Sequence, residues 1–174
     1  MSDKDSHCSY CGQAFGDTGK YPRTCGECTK VTYRNPLPVA VLVLPVDDGV
    51  LTIRRGIEPR RGQLALPGGF IDFGEAWRAA CARELFEETG IVVSPESVEL
   101  FDVHSAPDGT LLVFGLAPRV ASDELPPFEA TTETSERVIV REPTGLAFPL
   151  HTRVLADFFR EPRRVASSDA RLSK

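Results

Sequence analysis

Residues 69–91 read GFIDFGEAWRAACARELFEETGI, a glycine-rich turn followed by an acidic segment with helical composition. At about 100° of rotation per helical residue, Glu84, Glu87 and Glu88 fall on one arc of the predicted helix. The neighbouring arc is apolar and is expected to pack against a core; it comprises Cys81, Ala82, Leu85 and Phe86. The segment therefore predicts a helix with one packed stripe and one acidic stripe facing an open site.

The acidic stripe is electrostatically unfavourable unless it has a partner. Glu84 and Glu88 stand at i and i+4, where like charges repel by a few tenths of a kcal/mol. Glu87 and Glu88 also lie near the helix C-terminus, where the helix dipole disfavours negative charge. A divalent cation would relieve both costs, and carboxylate oxygens suit Mg²⁺ or Mn²⁺. A solvated acidic face is the commoner explanation for such a cluster taken alone.

The flanks of the helix make the segment more specific. Pro67, Gly68 and Gly69 predict a tight turn before it, and Gly90 predicts a C-cap after it. Residues 69–91 resemble the Nudix box, G-x5-E-x7-R-E-U-x-E-E-x-G-U, in which U is a bulky aliphatic residue. Every position of the box is matched, by Gly69, Glu75, Arg83, Glu84, Leu85, Glu87, Glu88, Gly90 and Ile91.

The Nudix resemblance implies hydrolysis of a pyrophosphate bond in a nucleoside diphosphate derivative, with Mg²⁺ or Mn²⁺ as the catalytic cofactor. It implies that Glu84 and Glu88 are catalytic and that Glu75 and Arg83 brace the loop against the helix. The implied metal ligands are Gly68, through its carbonyl, with Glu84, Glu87 and Glu88. It also implies an α/β fold, the Nudix-type α/β/α sandwich around a mixed sheet.

Four cysteines form a second motif near the N-terminus. Cys8 and Cys11 make one C-x-x-C pair, Cys25 and Cys28 make another, and thirteen residues separate the pairs. This spacing is typical of a zinc ribbon, in which two turns present four thiolates to one tetrahedral, structural Zn²⁺. A redox pair, a disulfide framework or four unrelated thiols are the alternatives, and a redox C-x-x-C would be expected at a helix N-terminus. Cys81 is interpreted as a small buried helix residue.

The order of these signals predicts the domain organisation. A zinc ribbon is expected at residues 1–35, a Nudix hydrolase domain at 36–160 and a disordered basic tail at 161–174. Val39–Leu44 and Val50–Ile53 are expected to form a hairpin around Asp47. The remaining expected elements are a helix over Glu75–Thr89, strands at Val98–His104, Thr110–Gly115 and Arg137–Val140, and a closing helix containing Val154, Leu155, Phe158 and Phe159.

Length and charge restrict the function classes. The 174 residues, with 41% hydrophobic content, suffice for one good core and a small accessory unit. A net charge of -5 argues against broad binding to nucleic acid but is compatible with a small nucleotide substrate. No apolar run approaches the length of a membrane span and no secretory segment opens the chain, so we expect no membrane association and a cytoplasmic location.

Residues outside the box add candidates for the site. Glu133 and Glu136 precede a predicted strand, and Glu136 best resembles the glutamate that in many Nudix enzymes reaches the metals or acts as general base. Whether Glu84 or Glu136 takes the proton from water stays open at this level. Arginines near the glycine-rich turn suit pyrophosphate oxygens, although a solvated position is an equal alternative. The substrate-binding candidates among them are Arg54, Arg55 and Arg61.

The substrate class is expected to be ADP-ribose, FAD or NADH, cleaved to a nucleoside monophosphate and a second phosphate. Leu64 stands where ribbon-bearing relatives often carry Trp, and the SQPWPFPxS array of NADH pyrophosphatases is absent after the box, which favours ADP-ribose or FAD. Pro107 lies at a spacing associated with ADP-ribose hydrolysis, but it also begins a PDG turn. Sanitation of oxidised nucleoside triphosphates and a non-catalytic nucleotide-sensing module are the alternatives. The resemblance also implies homodimerisation.

Overall fold

The computed structural model describes residues 5–16 and 19–160 and divides the chain into two compact units, Met1–Pro36 and Leu37–Lys174. The expected basic tail at 161–174 lies outside the described residues. In the first unit, β1 (Arg23–Thr24) pairs antiparallel with β2 (Val31–Thr32). Each C-x-x-C turn is closed by a backbone hydrogen bond: the N–H of Gly12 donates to Cys8 O at 3.0 Å, and that of Thr29 donates to Cys25 O at 3.0 Å.

The described residues of the second unit form two four-stranded sheets. The first has the order β7 (Gly68–Phe70), β3 (Leu37–Val43), β9 (Thr110–Leu116), β8 (Glu99–Ser105). It is mixed, because β3 runs parallel to β9 whereas β7 and β8 pair antiparallel. The second sheet is antiparallel and has the order β10 (Thr134–Val140), β5 (Gly49–Arg55), β4 (Pro45–Val46), with β6 (Leu64–Ala65) also paired to β5.

A helix covers each face of the mixed sheet. In β3 and just beyond it, Ala40, Leu42 and Leu44 pack in a cluster with α1 (Trp77–Thr89). The alternate residues Val41 and Val43 pack in a second cluster with α2 (Pro149–Arg160). Successive strand residues point to opposite faces, so a continuously apolar strand is buried on both sides. The predicted α/β/α sandwich around a mixed sheet is therefore confirmed.

The expected hairpin is wrong in one respect. The turn at Asp47 is present, but the strand that pairs with β5 across it is the two-residue β4, and β3 lies in the other sheet. β3 occupies the position between β7 and β9 because its side chains are apolar on both faces, and only a central strand buries both. The β8 and β9 pair and the closing helix are found at nearly their expected positions.

The acidic helix starts later than expected and packs on a stripe that includes Cys81 and Leu85, as expected, but not Phe86. It begins at Trp77 because Ala76 is extended, so Glu75 lies in the preceding turn. Phe86 is 55% exposed, which contradicts its expected packing role. The helix ends at Gly90, whose left-handed conformation (φ 73°) allows its N–H to donate to Phe86 O at 2.7 Å. The buried residues of α1 are Ala80, Cys81, Leu85, Glu88 and Thr89.

Candidate functional site

The glycines of β7 allow α1 to approach the strand closely. A Cβ built on Gly69 would lie 2.5 Å from the carboxylate carbon of Glu84, and one on Gly68 would collide with the carbonyl oxygen of Ala40. Any larger residue at either position would displace the helix carboxylate or the neighbouring strand. The Pro67–Gly69 turn and the acidic face of α1 are therefore packed directly against each other.

Arg83 joins the loop to the helix. Its Nε and one terminal nitrogen donate to the two carboxylate oxygens of Glu75, each at 2.9 Å. It also donates to the carbonyl of Phe70 at 2.9 Å and to Glu84 at 2.7 Å. The guanidinium holds the pKa of Glu75 below its usual value. The planar fork of arginine allows these contacts to form together, which a lysine could not reproduce.

Glu88 is the most buried carboxylate of the site, with 5% of its surface exposed. One of its oxygens accepts a hydrogen bond from the backbone N–H of Gly68 at 2.9 Å, which fixes the carboxylate beside the turn. Burial raises the pKa of Glu88, the Gly68 N–H opposes the rise and the charges of Glu84 and Glu133 add to it, so that the pKa is about 8. A buried carboxylate among like charges is a typical environment for a cation ligand.

Glu84 and Glu87 are held differently. Burial raises the pKa of Glu84, while its hydrogen bond from Arg83 opposes the rise. Glu87 is 56% exposed at its side chain and lies 3.3 Å from Arg83. Among the described residues, the four cysteines Cys8, Cys11, Cys25 and Cys28 are the group of three or more side chains arranged to hold a metal, and these glutamates are not gathered in such a group. The structure thus places Glu84 against Gly69 and Glu88 against Gly68, and turns Glu87 towards Arg83.

The loop before β10 presents Glu133 and Glu136 in different surroundings. Glu136 pairs with Arg54 at 2.7 Å, and about half of its side chain is exposed. Glu133 is the member of this pair whose charge raises the pKa of both Glu84 and Glu88. A β-bulge between Thr134 and Glu136 sets Glu136 opposite Arg54. The sequence preference for Glu136 over Glu133 therefore finds no support in this arrangement.

The three candidate arginines have different contacts. Arg54 is engaged by Glu136 and donates to the carbonyl of Gly62 at 2.9 Å. Arg55 donates to the carbonyl of Pro59 and lies 5.2 Å from the centre of the Phe148 ring. Its charge lowers the pKa of Glu88. Arg61 is exposed in the turn between β5 and β6. Arg55 is thus the arginine whose charge the structure links to the carboxylates.

The four N-terminal cysteines converge. Their Sγ atoms all lie within 4.8 Å of one another, with 3.6 Å between Cys8 and Cys28 and 3.7 Å between Cys11 and Cys25. Four sulfurs around Zn²⁺ at about 2.3 Å would be about 3.8 Å apart. Backbone N–H groups of Cys11 and Tyr10 lower the pKa of Cys8 to about 6, and those of Cys28 and Glu27 lower that of Cys25. This donor set fits a structural zinc site.

Comparison with known proteins identifies the family of the chain. The family model described as NUDIX domain matches residues 36–158. The chain belongs to the Nudix family. Among solved structures, a NUDIX hydrolase from Nitrosomonas europaea superposes with a TM-score of 0.71 at 25% identity, covering 91% of this chain and 93% of that one.

Two curated relatives match the chain over shorter stretches. An ADP-ribose pyrophosphatase of Methanocaldococcus jannaschii is 38% identical over 76 residues, 44% of this chain and 44% of that protein. The NAD-capped RNA hydrolase NudC of Escherichia coli is 30% identical over 88 residues, 50% of this chain and 34% of that protein. The matched regions thus span less than half of either relative. No helix among the described residues of this Nudix chain is long and apolar enough to cross a membrane.

Proposed function

We propose that this Nudix protein hydrolyses the pyrophosphate bond of a nucleoside diphosphate linked to a second group, with ADP-ribose, FAD and NADH as the candidate class. The observation that carries the proposal is the position of Glu88, which is buried, fixed by the Gly68 N–H at 2.9 Å and surrounded by the charges of Glu84 and Glu133. Such a site favours a divalent cation and, with it, a phosphate substrate.

Glu84 and Glu88, with the carbonyl of Gly68, would hold Mg²⁺ or Mn²⁺. The ion would neutralise the phosphate oxygens and make a bound water more acidic. Glu87 would complete the set by exchanging its contact with Arg83 for the cation. Arg83 and Glu75 keep the turn and helix in register, and Arg55 supplies a positive charge near the site for the substrate's phosphates.

For the general base we propose Glu133 in place of Glu136. The charge of Glu133 raises the pKa of both Glu84 and Glu88, whereas Glu136 is paired with Arg54. The backbone carbonyl of Glu133 accepts the N–H of Gly56 at 2.6 Å, which holds this residue beside the end of β5. A carboxylate fixed next to a metal-bound water can accept its proton during attack on phosphorus.

A substrate panel tests the function. ADP-ribose, FAD, NADH, diadenosine polyphosphates and 8-oxo-dGTP are incubated with the protein and Mg²⁺ or Mn²⁺, and the products are separated by chromatography. We expect a nucleoside monophosphate from at least one of the first three, and Glu88→Gln should lower that rate about 1,000-fold. An unchanged rate in Glu88→Gln, or a bound nucleotide that stays intact with Mg²⁺ present, would overturn the proposal.

A further inference from the structure

The segment before β10 holds Glu133 in a tight turn that spans residues 131–134. The backbone N–H of Thr131 donates to the carbonyl oxygen of Thr134 at 2.8 Å and closes the turn. The side chain of Thr131 bonds in the opposite sense: its Oγ1 accepts the N–H of Glu133 at 3.2 Å and the N–H of Thr134 at 3.0 Å. A threonine hydroxyl that accepts N–H groups a few residues later stabilises such a turn locally.

The carbonyl of Glu133 is bonded to the second sheet. The N–H of Gly56, which follows β5, donates to this carbonyl oxygen at 2.6 Å. A Cβ built on Gly56 would lie 2.4 Å from the carbonyl oxygen of Thr132, so a larger residue would push the turn away from the end of β5. Both backbone polar groups of Glu133 are therefore bonded, the N–H to Thr131 and the carbonyl to Gly56.

The turn is anchored to the sheet at its last residue. Thr134 is fully buried and stands opposite Arg55, the last residue of β5. The β-bulge of β10 follows directly, with Ser135 as the extra residue. Bulges of this kind redirect the side chains beside them. Glu133 itself is exposed, so its carboxylate extends into solvent from a backbone that is bonded on both sides.

The position of a general base affects the rate directly. Such a base must lie within hydrogen-bond distance of the proton that it accepts, and a displacement of about 1 Å can cost about 100-fold in rate. A glutamate side chain already has several rotatable bonds, and a mobile backbone would spread its carboxylate over many more positions. Restricting the backbone of one residue raises the population of a single arrangement by about tenfold.

We propose that Thr131 is a positioning residue for the hydrolytic reaction: its hydroxyl, together with the N–H of Gly56, fixes the backbone of Glu133 so that the carboxylate meets the water that attacks phosphorus. This inference rests on the proposed function, because it takes Glu133 as the general base of that reaction. The essential group is the hydroxyl oxygen, which a serine also supplies and a valine of similar shape does not.

Steady-state kinetics on the substrate identified by the panel compares Thr131→Val, Thr131→Ser and the control Thr132→Val. Thr132 is exposed in the same turn, and its replacement leaves both bonds to the Thr131 hydroxyl in place. We expect Thr131→Val to lower kcat about tenfold with little change in KM, and the other two variants to stay within about twofold of wild type. An equal loss of kcat in Thr131→Val and Thr132→Val would overturn the positioning role.

A double-mutant cycle tests whether Thr131 acts through Glu133. Once Glu133→Gln has removed the base, adding Thr131→Val should lower kcat by less than about twofold. If the two losses multiplied, Thr131 would act independently of Glu133 and the inference would be wrong. An unchanged kcat in Glu133→Gln would remove the base assignment of the proposed function, whereas a loss in Glu133→Gln with none in Thr131→Val would remove this inference alone.

Amide hydrogen exchange, followed by NMR, measures the same contacts without any substrate. The N–H groups of Glu133 and Thr134 should exchange at least about tenfold faster in Thr131→Val than in wild type, and Thr131→Ser should keep the wild-type rates. Unchanged exchange in Thr131→Val would show that the turn does not need the hydroxyl and would overturn the inference. If wild type hydrolyses no diphosphate compound, the proposed function fails, yet the exchange rates still decide whether Thr131 fixes Glu133.

Discussion

The guanidinium of Arg83 connects three parts of the candidate site. It contacts Glu75 in the turn, the carbonyl of Phe70 in β7 and Glu84 on α1. About 29% of the side chain is exposed, so solvent screens these contacts only in part. Arg83 therefore sets the position of Glu84 relative to the Pro67–Gly69 turn.

Arg83→Lys should lower the free energy of unfolding by about 2 kcal/mol, because a lysine cannot replace the paired bonds to Glu75 and leaves the Phe70 carbonyl without its donor. Urea unfolding followed by circular dichroism measures the change. Arg141→Lys is the matched control, since Arg141 pairs with Asp48 on an open surface and should change stability by less than about 0.5 kcal/mol. Equal losses in the two variants would contradict the bracing role.

A second prediction separates the two loop glutamates. Glu133→Gln should lower kcat about 100-fold with little change in KM, because it removes a general base but leaves the substrate contacts. Glu136→Gln only breaks an exposed pair with Arg54 and should change kcat by less than about threefold. Steady-state kinetics on the substrate identified by the panel measures both. The reverse order of effects would restore Glu136 as the base.

At the scale of an element, the first turn of α2 is attached to the sheets through His151. The imidazole is 6% exposed and lies between Phe114 and Phe148, with ring centres 5.7 and 5.0 Å away. Its Nδ1 accepts the backbone N–H of Leu66 at 3.3 Å, so the ring is neutral at this nitrogen. Burial, together with the smaller effect of the Arg55 charge on β5, lowers the pKa of His151 to about 3.

A pH dependence of stability follows from this histidine. The unfolded chain binds the proton near pH 6.5 and the folded chain only near 3, so the stabilisation is complete above 6.5 and decreases as the pH falls. Its loss should reach about 2 kcal/mol at pH 5. Other groups titrate in this window, so the contribution is measured as the difference between wild type and a non-titrating variant.

Urea unfolding at pH 7 and pH 5 provides that measurement. His151→Asn keeps an acceptor for Leu66 but has no proton to bind, so its stability should fall about 2 kcal/mol less than that of wild type over this range. His7→Gln, in an exposed position, should retain the wild-type dependence. If His151→Asn followed the wild-type curve, protonation of His151 would not contribute to acid sensitivity.

At the scale of the whole molecule, the folded states of the two units are stabilised in different ways. Leu37–Lys174 contains the two clusters that pack on either face of the mixed sheet, whereas the described residues of Met1–Pro36 form two two-residue strands and the converging cysteine cluster. A unit of this size has too small a core to fold by burial alone. We expect the first unit to need its metal and the second to fold without it.

Metal removal tests this expectation. The purified protein should contain one zinc per chain by atomic absorption, and a strong chelator should expose residues 1–36 to proteolysis while a Nudix fragment stays resistant. Cys25→Ser should lower the zinc content and reproduce this cleavage pattern. Cys81→Ser serves as the control, because Cys81 lies on α1, is buried against the mixed sheet and should leave the zinc content unchanged. Loss of both units together would contradict independent folding.

Several features of the protein could be predicted from residues that lie close together in the chain. The spacing of Gly69, Glu75 and Arg83 indicated a turn followed by a helix, and the spacing of the cysteines indicated two turns around one metal. The continuously apolar run at Val39–Leu44 indicated a strand, although the hairpin expected for it was wrong. These features depend on residues close in the chain, where helix rotation and turn geometry restrict the positions of side chains.

The contacts between distant residues were decided by strand register. A bulge between Thr134 and Glu136 sets Glu136 opposite Arg54, and a second bulge turns Asp102 and His104 to the α2 face. A shift of one residue reverses every side chain of a strand, and no local pattern revealed either shift. The sequence by itself determined the box, the cysteine cluster and the fold class. Only the tertiary structure decided whether Glu133 or Glu136 lies near the helix carboxylates, because strand register sets which side chains face them.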